Sequence, residues 1–260
     1  MAETLPGGLY DYPRYYDLVF GSDWRAEYRW LLASFQRHAS GPVQRVFEPA
    51  CGTGRLLYRL AKAGFEVSGL DLNRAAVDYC NQRLQRHGFA PTAVVGDMAD
   101  FRVPCPVDAG FNMINSFRHL TDGSAALNHL RCMARILRPG GLYLLGLHLH
   151  PTKGKPLESE SWSARRGNLA VTTRLWLVAR EPSRRRERYR MSYAIYTPTR
   201  FYRLVDDVEF RTYTARQFRD LLRRVPEFEL AATYDFAYDI DRPIRVTAET
   251  EDVVYVLRKR

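Results

Sequence analysis

Val46-Phe47-Glu48-Pro49-Ala50-Cys51-Gly52-Thr53-Gly54-Arg55 is answered by Val67-Ser68-Gly69-Leu70-Asp71-Leu72, and the pair decides the fold. The first segment is an apolar run, then an acid, then two glycines, then the helical spacing Leu56, Leu57, Leu60. That order predicts a strand entering a tight turn and a helix leaving it. Glycine lets the backbone approach a ligand closely because no Cβ stands in the way. The second segment is an apolar strand ending on a carboxylate. In an open α/β sheet the carboxyl ends of neighbouring strands face one crevice, so Asp71 is placed to reach the hydroxyl pair of a ribose. The pattern predicts a nucleoside ligand.

The kind of nucleoside follows from what the turn lacks. A dinucleotide fingerprint needs a third glycine three residues after the second, where Leu57 stands. A phosphate-cradling loop needs a lysine after its last glycine, and Arg55 follows Gly54 instead. Glu48 at the mouth of the turn would repel phosphate and welcome a cation.

Working outward, 260 residues suffice for one elaborated α/β unit with a large core. No apolar run approaches the roughly 20 residues that span a bilayer, and Met1 to Gly8 lack the pattern of a signal peptide. Cys51, Cys80, Cys105 and Cys132 show no C-x-x-C pairing, which argues against zinc and against a disulfide framework. No metal is expected, Cys51 reads as packing, and a reducing cytoplasm is the expected setting. The net charge of +10 rests on arginine, which supplies 35 of 39 basic residues. Its densest run, Arg180 to Arg190, lies between alternating apolar patterns and reads as the solvated turn of a β-hairpin. A basic tip can also track a nucleic-acid backbone.

Strand–helix alternation runs through the first half. Strands are expected at 43–48, 65–71, 92–95, about 108–115 and 142–149. Helices are expected at about 53–64, 74–88 (with Asn73 as N-cap) and 123–137. A tyrosine-rich opening, Tyr10 to Asp17, and a helix through Trp24–Leu32 precede them. Such alternation predicts a doubly wound parallel sheet. After His150 the period becomes two: residues 168–212 read as two or three antiparallel strands without a helix. A helix at Thr214–Arg224 and strands at 229–236 and 252–258 complete the chain. The units are thus a helical cap or lid (1–40), a cofactor-binding core (41–150), a β insertion walling the substrate (151–212), and a last helix with two core strands (213–260).

The E-x-x-C-G-T-G string resembles the glycine-turn motif of class I S-adenosylmethionine-dependent methyltransferases. Ala26-Glu27-Tyr28, Asn115-Ser116-Phe117-Arg118-His119-Leu120, Arg138-Pro139-Gly140-Gly141-Leu142 and the insertion are similar to the glycine/sarcosine N-methyltransferase-like, small-molecule branch. The resemblance implies a Rossmann-like seven-stranded methyltransferase sheet with an antiparallel insertion after strand five, and S-adenosylmethionine as cofactor. It implies that Glu48, Ala50, Cys51, Gly52 and Gly54 line the methionine moiety and that Asp71 holds the ribose, with Leu72 and Asn73 beside the adenosine. Asp97 and Met98 would contact adenine, and Asn115 and Ser116 would end the fourth strand beneath the reacting methyl. Tyr16 would close over the cofactor and Arg25 would pair with its carboxylate.

Glycine-specific relatives carry a substrate-gripping arginine just past strand five. Here that stretch reads Leu147-His148-Leu149-His150-Pro151, so glycine is a poor acceptor. His148 and His150 share one strand face, and one is a candidate general base, with Tyr16 and Asn115 as the other catalytic candidates. Hydrogen bonding at the sheet edge is the equal alternative for both histidines, and His119 reads as structural. Arg118, His148 and Trp162 are the acceptor-side candidates. Tyr193, Tyr196 and Tyr202 would join Trp162 in an aromatic wall attractive to a cationic amine, with plain packing the simpler account. Asn115-Ser116-Phe117-Arg118 is not the D/N/S-P-P-Y/F string of adenine or glutamine amino-methylation. Pro104-Cys105 precedes strand four, the wrong side for cytosine C-methylation. The expected acceptor is the amine nitrogen of a small molecule. RNA or protein docking on the basic hairpin and a non-catalytic cofactor-binding subunit are the rivals. A monomer or homodimer away from membranes is the expected form.

Overall fold

A computed structural model describes residues 3–156 and 158–260. The chain begins with a two-residue strand β1 (Glu3–Thr4), a 3-10 turn (Leu9–Asp11) and helices α1 (Pro13–Gly21) and α2 (Arg25–His38). The core follows as β2 (Arg45–Pro49), α3 (Leu57–Lys62), β3 (Glu66–Asp71), α4 (Arg74–Arg86), β4 (Ala93–Val95), β5 (Val107–Asn112), α5 (Gly123–Ile136) and β6 (Leu137–His148). The insertion is β7 (Ser159–Arg166), β8 (Leu169–Glu181), β9 (Arg186–Tyr196) and β10 (Phe201–Arg211), and α6 (Ala215–Leu222), β11 (Phe228–Tyr234) and β12 (Asp252–Lys259) return to the core.

The core sheet has the order β11-β12-β6-β5-β2-β3-β4. Its strands are parallel except β12, which pairs antiparallel with β6 and β11. Both faces are buried, and β6 shows why. Leu142 and Leu144 pack with α2, α3 and α4, whereas Tyr143, Leu145 and Leu147 pack with α5 and α6. Period-two alternation thus places apolar residues on each side of one strand. Strand order reverses between β2 and β5, and the crevice at their carboxyl ends is where open α/β sheets bind ligands.

Several expected boundaries shift for local reasons. The first helix was expected from about 53 and starts at Leu57, because Gly52 and Gly54 hold left-handed φ values of 52° and 66°. The fifth strand starts at Leu137 rather than 142, since Leu137 already pairs with Val107 ahead of an irregularity at the glycines. The stretch 168–212 holds three strands, β8, β9 and β10, and a fourth ahead of it, β7, pairs with β8 along its full length. These four, with β1 parallel against β10, make a separate five-stranded sheet.

The arginine run is the β8–β9 hairpin turn, and much of its charge is matched locally. Arg184 meets Glu181 at 3.3 Å, Arg186 meets Glu209 at 2.8 Å and Arg190 meets Asp207 at 2.6 Å. Among the described residues all four cysteines are free and no cluster is arranged to hold a metal ion. No helix among the described residues is long and apolar enough to cross a membrane.

Gly146 is the residue that sets the approach to the crevice. A Cβ there would collide with the Met113 carbonyl oxygen, in the segment leaving β5. Backbone cannot yield as a flexible side chain can, so Gly146→Ala is expected to lower unfolding free energy by about 3 kcal/mol. Denaturant unfolding of the two proteins measures it, and equal midpoints and slopes would show that the β5 exit tolerates displacement.

Candidate active site

The turn after β2 is shaped by three left-handed residues. Ala50 has φ 53°, where a non-glycine residue is strained, and Gly52 and Gly54 follow. A Cβ on Gly52 would come 3.2 Å from the Tyr16 ring, and one on Gly54 would strike the Cys80 sulfur of α4. Gly52 therefore admits the Tyr16 ring, and Gly54 admits a helix. The Gly52 amide donates to Asp71 Oδ2 and the Asn73 amide to Asp71 Oδ1, both at 2.8 Å. Burial raises the Asp71 pKa, and these two N–H donors pull it back. Asn73 caps α4 by accepting from the Ala76 amide at 3.0 Å. Leu72 is 74% exposed at the rim. Cys51 is buried, its amide donating to the Leu70 carbonyl at 2.9 Å.

Beneath Tyr16 lies a small pocket walled by Glu48, Ala50, Cys51, Arg55 and Asn112. Glu48 is only 6% exposed. Its Oε2 and the Oδ1 of Asn112 are buried without hydrogen-bond partners. Burial drives the Glu48 carboxyl well above the ordinary range, more strongly than the nearby Arg55 lowers it. Two orphaned acceptors, one of them an acid, make a site for a cationic donor. The wall cation is Arg55, bound through both terminal nitrogens to Glu27 at 2.5 and 2.6 Å. Arg25 corrects an expectation: it is exposed at the start of α2, over the Trp24 ring at 5.5 Å. The first turn of α2 faces Glu27, not Arg25, towards the site. At the end of β4, Asp97 is exposed and accepts from the Ala99 amide at 2.7 Å, while Met98 packs against the α5 side of the core.

Above this pocket opens a cavity of about 300 Å³. Tyr16, Asn115, Ser116, Arg118, His148 and Trp162, far apart in sequence, all stand on its wall. Asn115 holds φ 59°, which asparagine tolerates, and its Oδ1 accepts from the His148 amide at 2.8 Å. That bond ties the β5 exit to the end of β6. His148 Nδ1 contacts the Asp252 carboxylate across the β6–β12 pair. His150 Nδ1 lies 3.4 Å from Glu187.

Arg118 lines the cavity but is already committed. Its Nη2 meets Glu187 at 2.7 Å and its Nε donates to the Arg211 carbonyl at 2.9 Å, joining the core to the insertion. His119 bonds the Tyr10 hydroxyl at 3.1 Å, and burial with Arg118 lowers its pKa to about 4, so it is neutral. The aromatic wall differs from expectation. Phe20, Tyr189 and Phe210 accompany Trp162 there. Tyr193 shares a strand face with Tyr189 but lies further along, buried under α1, and Tyr196 is exposed and stacked on Phe201 at 4.7 Å. Tyr202, too, packs in the lid–insertion cluster rather than on the cavity wall.

The sequence reading did not single out Tyr10, Phe20, Arg55, Asn112, Glu187 or Asp252. One signal was available for Glu187, since period two sets it on the same face as Tyr189 and Met191. Asp252 had none, because its partner strand is distant in sequence.

Residues 46–141 match a family model described as a methyltransferase domain. Human glycine N-methyltransferase is 31% identical over 136 residues, covering 46% of this chain and 45% of that protein. A Streptomyces venezuelae dTDP-3-amino-3,4,6-trideoxy-alpha-D-glucopyranose N,N-dimethyltransferase is 28% identical over 140 residues, covering 52% and 56%. The chain spans about half the length of the curated relatives it matches. The S-adenosylmethionine-bound structure of CalS10, an amino pentose methyltransferase from Micromonospora echinaspora, aligns over 100% of both chains with a TM-score of 0.73. At 18% identity that likeness is one of fold. The glycine turn and the reversal of strand order beside it lie inside the matched span, so residues 46–141 form a methyltransferase domain, and the fold is that of the class I S-adenosylmethionine-dependent methyltransferases.

Proposed function

We propose that this protein transfers the methyl group of S-adenosylmethionine to the amine nitrogen of a small molecule that carries no free carboxylate. The observation that carries the reading is the charge of the cavity above the Tyr16 pocket. Glu160, Glu187, Glu251 and Asp252 line it, and Arg118, its one guanidinium among the described residues, is already paired with Glu187. A cationic amine is favoured there and a carboxylate is repelled. Glycine, the acceptor named for one relative, fits poorly, whereas the amino sugar named for another fits the charge.

The pocket under Tyr16 suits the cofactor on its own chemistry. Glu48 Oε2 and Asn112 Oδ1 would accept from the methionine ammonium, and Asp71 would take the ribose hydroxyls. Asp97 and Met98 would meet the adenine. When bound, the cofactor supplies a methyl group on a positively charged sulfur that departs as a neutral thioether. Tyr16 and Phe20 exclude water above the crevice and hold the acceptor to one approach, which is the main requirement of an in-line transfer. An amine nitrogen must shed a proton to complete the reaction. His148 is suited to take it: with Nδ1–H donated to Asp252, Nε2 keeps its lone pair as a base. Asn115 holds the His148 backbone in place.

A methyl-transfer screen over amino sugars, simple amines, glycine, phenols and tRNA tests the reading. Turnover of amines lacking a carboxylate is expected, and turnover confined to phenols or tRNA would overturn it. His148→Ala and Asp252→Asn should each lower kcat by about 100-fold while leaving cofactor affinity unchanged. Undiminished turnover in both would leave catalysis to positioning alone.

Glu48 carries a separate prediction. Because burial raises its pKa, the free protein keeps that proton at pH values where an exposed carboxylate has lost it. A cationic ligand favours the ionised form, so binding releases the proton and tightens as pH rises towards the Glu48 pKa. Calorimetry in buffers of differing ionisation enthalpy should show that release, and Glu48→Gln should abolish it and weaken cofactor binding by about tenfold or more. Identical release from both proteins would assign the proton elsewhere.

A further inference from the structure

A second cavity, of about 430 Å³, lies on the other side of α1 from the acceptor cavity. Tyr16 and Phe20 line the first, while Asp17 and Gly21, one residue further round the helix, line the second. Four guanidinium groups meet there: Arg59 from α3, Arg83 from α4, and Arg165 and Arg166 from β7. Asp17 is the one acid on its wall among the described residues.

These arginines are held rather than loose. Arg83 donates to Asp17 at 2.6 Å and to the Thr53 carbonyl at 3.1 Å, and Arg166 donates to the same Asp17 oxygen at 2.8 Å. Burial opposes the Asp17 charge, but Arg83, Arg166 and Thr53 outweigh it and keep the carboxyl below its usual range. Arg59 lies over the Trp24 ring at 3.8 Å and over Tyr58 at 4.4 Å, and its Nη1 donates to the Arg55 carbonyl, with no acid as partner. Its Nε is buried and unpartnered. Burial, with Arg83 and Arg55 adding to it, lowers the Arg59 guanidinium to about 10, the mark of a cation lacking its counter-charge. Arg165 uses its Nε on the Gly167 carbonyl at 3.0 Å and turns its fork to the cavity.

The geometry points to a binding site, built by Arg59, Arg83, Arg165 and Arg166, for a small molecule that carries a diphosphate or comparable phosphate group. Four cations facing one carboxylate leave an excess that a single carboxylate ligand does not offset, whereas a diphosphate does. Arginine forks offer paired N–H donors in the geometry phosphate oxygens accept, and Arg165 spends only its Nε within the chain. The site is also wired to the methyl-transfer machinery. Asp17 accepts from the Thr53 hydroxyl of the glycine turn at 2.9 Å and sits next to Tyr16, so an occupant would clasp α1 between α4 and β7.

The test uses the full chain without cofactor or acceptor, so it stands apart from the methyl-transfer reading. Inorganic pyrophosphate is titrated by calorimetry at constant ionic strength, with sodium chloride as the control. Saturable one-to-one binding is expected, with a rise in unfolding midpoint that chloride does not reproduce. Arg165→Ala, an exposed position bonded only to its own turn, and Arg59→Gln should each weaken it by about tenfold or more. A nucleoside diphosphate titrated in parallel identifies the source: tighter binding assigns a nucleotide, equal binding the phosphates alone. Absence of saturable binding, or full affinity in both variants, would overturn the inference.

Discussion

The bond from the Gly52 amide to Asp71 is the constraint on which the rest of the ligand-binding face depends. It forms only because the chain turns through left-handed conformations at Ala50, Gly52 and Gly54. A strained alanine costs of the order of 1 kcal/mol or more, offset by what the turn sets in place. Asp71 is fixed at the mouth of the crevice, and Thr53 is presented to Asp17. The flat back of Gly52 receives the Tyr16 ring. Lid, turn and second strand are therefore consequences of one backbone geometry, not three independent features.

Electrostatics divides along α1. On one side acids prevail, from buried Glu48 to the carboxylates around His148. On the other, arginines prevail around Asp17. A net charge of +10 describes neither side. Much of the arginine excess is matched locally in pairs such as Arg190–Asp207 and Arg258–Glu229, both near 2.6 Å. Local fields are then set by the few groups that burial leaves uncompensated. Sites of opposite sign lie back to back, separated by the thickness of a helix.

Much of this was readable from residues alone, and what escaped did so for physical reasons. The glycine turn, Asp71, the Asn73 cap and the strand–helix alternation are local signals, each encoded within a few residues. β7 was missed because Trp162 and Ala164 are the sole apolar residues of Ser159 to Arg166, too few to mark a hydrophobic alternation. Arg25 was placed at the site because its helix was located but not its rotation, which turns Glu27 inward instead. The dyad of His148 with Asp252 joins strands a hundred residues apart, and the arginine cavity draws on four elements. Such meetings depend on how layers pack, and periodicity carries no record of them.

β1 adds two residues to β10, and the lid behind it shares a hydrophobic cluster with the insertion. Leu9, Leu18 and Val19 pack there with Val171, Tyr193, Ile195 and Leu204, apart from the two clusters of the core sheet. Lid and wall are thus one upper jaw with its own apolar interior. What joins that jaw to the core near the ligand sites is polar: Arg118 with Glu187, Asp17 with Thr53 and Arg83, Tyr10 with His119. Most of these links are buried as well, so breaking one would strand a charge without its partner, and the jaw is held to the core firmly. A change deep inside the insertion, far from any ligand, would register at Tyr16.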